Sequence, residues 1–138
     1  MATTTAATQG WRGSGEILLA DDEAYVRRVA RRAIERAGFQ VVECADGAEA
    51  LAMVEAEPVR FAAVMLDLTM PRLAGDAALE KIRARNPALP AVLYSGYSAE
   101  ELNPSLRTLA ATRFLQKPFT TDEVATALHD VIDPSAPA

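Results

Sequence analysis

Four short segments of this 138-residue chain set a chemically useful side chain directly after an apolar run. Asp21 and Asp22 follow Ile17-Leu18-Leu19-Ala20, and Asp67 follows Ala62-Ala63-Val64-Met65-Leu66. Ser95 and Gly96 follow Ala91-Val92-Leu93-Tyr94, and Lys117 follows Arg113-Phe114-Leu115-Gln116. Carboxylates from two separate runs repel one another if gathered without a cation, and oxygen-only ligation suits a hard divalent ion such as Mg²⁺, with Mn²⁺ as a possible substitute. Lys117 adds a point charge fit for a phosphate oxygen, and the Ser95 hydroxyl with nearby backbone N–H groups can complete a cradle. A carboxylate can itself attack phosphorus, and Asp67, central among the runs, is the candidate nucleophile.

Each piece also has a plainer reading. Asp21 and Asp22 can cap a helix, Asp67 can be a turn residue ahead of Pro71, Ser95-Gly96 an ordinary turn, and Lys117-Pro118 a loop with a surface lysine. What favours a site is that all four fall at the carboxyl ends of successive apolar runs, where open parallel sheets carry their ligands.

That argument needs the runs to be strands of one sheet. Ile17–Ala20, Val41–Cys44, Ala62–Leu66, Ala91–Tyr94 and Arg113–Gln116 read as strands. Between them Tyr25–Ala37 places Val26, Val29, Ala30, Ala33, Ile34 and Ala37 on one face at helical period, and Gly38 follows as a stop. Ala48–Glu55, roughly Asp76–Arg85, Glu100–Leu109 and Thr121–Ile132 fill the remaining gaps as helices, with Pro104 interrupting the fourth. Strict alternation of strand and helix predicts a doubly wound α/β domain, a parallel sheet covered on both faces. Residues 1–15 read as a flexible tail or linker carrying Trp11, 16–132 as the folded domain, and 133–138 as a disordered end.

Half of the chain is hydrophobic and 24% charged, which suits one domain with its own core. A net charge of −5 argues against direct nucleic-acid binding. Arg27, Arg28, Arg31, Arg32 and Arg36 recur at helical spacing, either as a solvated face or as a basic stripe for a partner. Cys44 is the sole cysteine, a core thiol suited to a reducing compartment. No apolar run approaches the ~20 residues of a membrane span, so the expected setting is cytoplasmic, without membrane contact.

From about Glu16 to Ile132 these motifs together resemble the response-regulator receiver domain of two-component signalling. Ile17-Leu18-Leu19-Ala20-Asp21-Asp22-Glu23 is similar to that family's acidic pair, and Leu66-Asp67-Leu68-Thr69-Met70-Pro71 to its phosphoacceptor segment. Gly75 matches the loop glycine, Tyr94-Ser95-Gly96-Tyr97 the hydroxyl-bearing fourth strand, and Phe114-Leu115-Gln116-Lys117-Pro118-Phe119 the fifth. The resemblance implies a flavodoxin-like five-stranded sheet in the order 2-1-3-4-5 with five helices. It implies phosphorylation of Asp67 by a histidine kinase or histidine phosphotransfer domain, and Mg²⁺ held by Asp22, Asp67 and the Thr69 backbone carbonyl, with Asp21 acting mainly through water. Lys117 and Ser95 would hold the phosphoryl group, and the peptide before Pro118 would be cis. Ser95 and Phe114 would form a switch read by a downstream protein, docking on the last two helices and the fifth strand. Thr69 and Tyr97 would tune the phosphoryl lifetime.

The loop Arg72-Leu73-Ala74-Gly75-Asp76 departs from the family's usual acidic pattern, and Phe114 lacks a tyrosine's hydroxyl. The resemblance fits a stand-alone receiver or the terminal receiver of a hybrid histidine kinase, a phosphoacceptor rather than a kinase. A haloacid-dehalogenase-type phosphatase would want an acid where Thr69 stands. A pseudo-receiver acting as a phosphorylation-independent binding module would have lost an acidic or lysine element, and all are kept. His129, the sole histidine, reads as a surface or groove-lining residue of the last helix, away from the site.

Overall fold

A computed structural model describes residues 11–97, 104–107 and 109–134. Five strands, β1 (Glu16–Ala20), β2 (Gln40–Cys44), β3 (Phe61–Asp67), β4 (Ala91–Ser95) and β5 (Thr112–Gln116), pair in parallel in the order β2-β1-β3-β4-β5. The helices are α1 (Ala24–Arg36), α2 (Gly47–Ala56), α3 (Gly75–Arg85), a single turn α4 (Pro104–Arg107) and α5 (Thr121–Ile132). The predicted Glu100–Leu109 helix lies partly outside the described residues. Its described turn starts at Pro104, where a missing N–H is tolerated because first-turn donors have no intrahelical partner.

The central strands are apolar throughout because both faces are covered. Ile17, Leu19, Ala63, Met65 and Val92 point into a core completed by Ala30, Ala33 and Ile34 of α1 and Val124, Leu128 and Val131 of α5. Leu18, Ala20, Val64, Leu66 and Leu93 point the other way, onto Ala50 and Val54 of α2 and Ala78, Leu79 and Ile82 of α3. Period-two strands facing period-3.6 helices thus make two cores from one sheet. Cys44 is buried in the second of these, beside α2 and α3, and burial pushes its thiol up to about 12, so it remains a protonated packing group.

Two sequence expectations need correction. Trp11, which the sequence leaves either exposed or loosely docked in a flexible tail, is docked: its ring lies 5.8 Å from Phe39 and edge-on to His129 at 5.1 Å, and Nε1 donates to Asp133 Oδ2 at 3.3 Å. The Gly13 N–H donates to the Ala37 carbonyl at 2.8 Å, and a Cβ on Gly38, whose φ is +107°, would meet the Gly13 oxygen at 2.7 Å. An indole carries a large apolar area, and this end of the α1/α5 core supplies a place to bury it. His129, for the same reason, is not a surface residue: Trp11 covers it and leaves it 6% exposed.

The arginine stripe of α1 is partly consumed within the molecule. Arg27 and Arg31 both pair with Glu43 of β2, and Arg31 also with Glu35, which holds the Glu43 carboxyl below its usual range.

Candidate functional site

The parallel register brings the four strand ends to one edge. Ala20 pairs with Leu66, Asp67 with Tyr94, and Ser95 with Gln116, so the residues that follow β1, β3, β4 and β5 converge. Ligand oxygens of Asp21, Asp22 and Asp67 all lie within 4.8 Å of one another. Lys117 Nζ lies 3.2 Å from Asp67 Oδ2, 3.3 Å from Glu23 Oε1 and 3.8 Å from Asp21 Oδ2. Asp21 and Asp67 are buried and Asp22 is exposed. An exposed carboxylate beside two buried ones leaves an open side toward solvent.

The capping alternative for the acidic pair does not describe this geometry. The N-cap of α1 is Glu23, without a side-chain capping bond, and Asp21 Oδ1 accepts the N–H of Glu23 itself at 2.8 Å. The pair therefore does not satisfy the orphan donors of α1's first turn.

Asp67 is held on both sides. Its Oδ1 accepts the Thr69 N–H at 3.0 Å and its Oδ2 faces Lys117. Burial pushes its carboxyl up from the usual value; the Thr69 N–H and Lys117 pull the other way, while Asp21 adds to the rise. Burial alone would lower the Lys117 ammonium, but the charges of Asp21 and Asp67 outweigh it and hold it above its usual range. Gly75 lets α3 start directly behind Asp67, since a Cβ there would sit 2.3 Å from the Asp67 carbonyl oxygen.

Ser95 is buried at the end of β4, and its Oγ accepts the Tyr97 N–H at 2.9 Å. The Ser95 carbonyl accepts the Lys117 N–H at 2.7 Å, and the Lys117–Pro118 peptide is cis. Tyr97 is exposed, and Phe114 is half-buried against the α2/α3 core.

Two participants were not legible beforehand. Glu23 shares the Lys117 ammonium, and the Tyr94 hydroxyl donates to Asp21 Oδ2 at 2.8 Å with the Ala20 carbonyl 3.3 Å away. Burial, then the charge of Asp21, holds the Tyr94 phenol well above its ordinary 10.0, so it stays a donor. The available signal was a phenol in an otherwise aliphatic buried strand, which must find a polar partner.

A family profile described as response regulator receiver domain matches residues 17–129. This chain belongs to the receiver-domain family. Among relatives of this receiver domain, the response regulator receiver protein CpdR of Brucella abortus is 32% identical, the match covering 75% of this chain and 84% of CpdR. The sensor kinase CckA of the same organism is also 32% identical over 88% of this chain, but the match spans only 13% of CckA. A crystal structure of a response regulator receiver protein from Sinorhizobium medicae superposes with a TM-score of 0.77 at 28% identity, covering 87% of this chain and 95% of that one. The receiver fold and the 2-1-3-4-5 order agree with these relatives. No helix among the described residues is long and apolar enough to cross a membrane.

Proposed function

We propose that this receiver domain takes a phosphoryl group from a phosphohistidine onto Asp67, with Mg²⁺ bound beside it, and passes the resulting change to a partner protein. The observation that carries the reading is the placement of Lys117 Nζ 3.2 Å from Asp67 Oδ2 beside three carboxylates whose oxygens lie within 4.8 Å.

The donor set fits a hard cation: it is all carboxylate oxygen, two members are buried with, among the described residues, the single ammonium of Lys117 near them, and the exposed Asp22 leaves room for water. Asp21, Asp22 and Asp67 would hold Mg²⁺, with the Thr69 carbonyl as a further ligand. Bound there, the ion supplies positive charge that offsets the negative charge of the transferring group.

An oxygen of Asp67 forms the new O–P bond as the N–P bond to the donor imidazole breaks, and the electron pair of that bond leaves with the imidazole. Lys117 then exchanges a carboxylate oxygen for a phosphoryl oxygen, a shift that its flexible stem allows. Ser95 turns its hydroxyl from the Tyr97 N–H toward the same group, and Phe114 follows it inward, altering the surface of β5 and α5 that a partner reads. Thr69 and Tyr97 flank the approach of the hydrolytic water and set the lifetime of the acyl phosphate. The donor domain approaches over a groove of about 410 Å³ lined by Tyr25, Val29, Pro118 and Phe119 next to Lys117, where Tyr25 is 70% exposed. An exposed apolar rim next to a charged site is a natural protein-docking feature.

The test is intact mass after incubation with acetyl phosphate and Mg²⁺. One added phosphoryl group that needs Mg²⁺ and is absent from Asp67→Asn supports the reading. A wild-type protein that binds Mg²⁺ yet gains no mass refutes it in favour of a phosphorylation-independent binding module.

A further inference from the structure

Tyr94 touches both poles of the site. Its hydroxyl lies 2.8 Å from Asp21 Oδ2, and its ring centroid lies 5.3 Å from Lys117 Nζ. Phe119 packs edge-on against the same ring at 5.4 Å, and the side chain is fully buried. Packing alone would be served by an aliphatic residue like its neighbours Val92 and Leu93, so the hydroxyl needs its own reason.

Asp21 supplies it. This carboxylate is wholly buried; the Glu23 N–H occupies Oδ1, and the Tyr94 hydroxyl is the near donor to Oδ2. The next donor is the Lys117 ammonium at 3.8 Å, already shared between Asp67 and Glu23. A buried carboxylate stripped of one donor recruits the nearest replacement. Without the phenol, Asp21 would draw Lys117 toward itself, and the ammonium would then compete with a cation for the acidic pair.

We propose that Tyr94 is a positioning residue, whose hydroxyl fixes the Asp21 carboxylate for the divalent cation and leaves Lys117 to Asp67. The proposal rests on the phosphoacceptor reading above. Its signature is a split: cation affinity suffers while the transfer step, once the cation saturates, is nearly unchanged.

The experiment compares wild type with Tyr94→Phe, which keeps the ring under Lys117 and removes only the hydroxyl. Mg²⁺ affinity is measured by calorimetry, and acetyl phosphate turnover at saturating Mg²⁺. The Kd for Mg²⁺ is expected to rise about tenfold, the scale of one hydrogen bond to a charged group, with the saturated rate within about twofold. A double-mutant cycle with Asp21→Ala, read as melting temperature in chelator, supplies a metal-free measure: the loss on Tyr94→Phe should largely vanish once Asp21 is gone. An unchanged Kd, or equal melting losses in both backgrounds, would overturn the proposal while wild type still binds Mg²⁺ and gains phosphoryl mass. A wild type that does neither overturns the phosphoacceptor reading and this proposal with it.

Discussion

Replacing Gly75 with alanine tests how closely the backbone behind Asp67 must pack. Gly75 is the first residue of α3, and an exchange of glycine for alanine in a helix ordinarily stabilises by about 0.5–1 kcal/mol. Here the sign should reverse. The added Cβ would lie 2.3 Å from the Asp67 carbonyl oxygen, 2.9 Å from its carbon and 3.0 Å from the Leu68 Cα, whereas ordinary contact begins at 3.4 Å. All three atoms are main chain of β3 and its exit, so no rotamer change relieves the clash, and α3 must back away by about 1 Å. Overpacking of this kind costs about 1–3 kcal/mol. At about 4 °C per kcal/mol for a domain of this size, the melting temperature should fall by about 4–12 °C. The same shift pulls on the loop that carries Thr69, whose N–H holds Asp67 Oδ1, so phosphoryl uptake should slow as well. Thermal unfolding followed by circular dichroism measures the first effect. Gly96→Ala is the control, since a Cβ there meets nothing within 4 Å. A Gly75→Ala protein as stable as wild type would refute the close-approach argument.

Lys117→Met removes the cation beside Asp67 and should slow acetyl phosphate uptake at saturating Mg²⁺ by about 100-fold, the effect typical of losing one charge-stabilising donor. A rate within a few-fold of wild type would remove Lys117 from the chemistry. Because the folded state raises the Asp67 pKa, with burial as the main cause, that group's contribution to stability is present at low pH and is lost as pH rises from its ordinary 3.8 through the raised value. Metal-free Asp67→Asn should therefore match wild type in acid and unfold at higher urea near pH 7; the opposite order would contradict the burial argument. Trp11→Ala should cost about 2 kcal/mol, less than the ~3–5 kcal/mol of a core tryptophan, because the ring is only half-buried. In wild type, the emission of this sole tryptophan should shift red with global unfolding; a red-shifted native spectrum would place it in solvent instead.

Most elements were legible because their signals are local. The helix face of Val26, Val29, Ala30, Ala33, Ile34 and Ala37 and the uninterrupted run Ala62-Ala63-Val64-Met65-Leu66 needed only period and composition, and they fell in α1 with its C-cap and in β3, although Val29 at the edge of that face is left 41% exposed. The gathering of Asp21, Asp22, Asp67 and Lys117 was legible because a parallel sheet sends its strand ends to one edge. The docking of Trp11 and the burial of His129 have no local cue because each depends on the other: Trp11 bonds Asp133 across a sequence separation of 122, and its indole meets the ring of His129 on α5 edge-on.

The sequence by itself determined the α/β alternation, the carboxyl edge as the place where the charged side chains gather, and the residue types available there. These follow from hydrophobic period, strand ends and side-chain identity, which are properties of short stretches of chain. Only the tertiary structure decided which oxygen meets which donor: that Lys117 divides its charge among Asp67, Glu23 and Asp21, that Tyr94 secures Asp21, and that Gly75 sits against the Asp67 backbone. Those are contacts of a few ångströms between segments far apart in sequence, and they exist only once two cores have closed on both faces of the sheet.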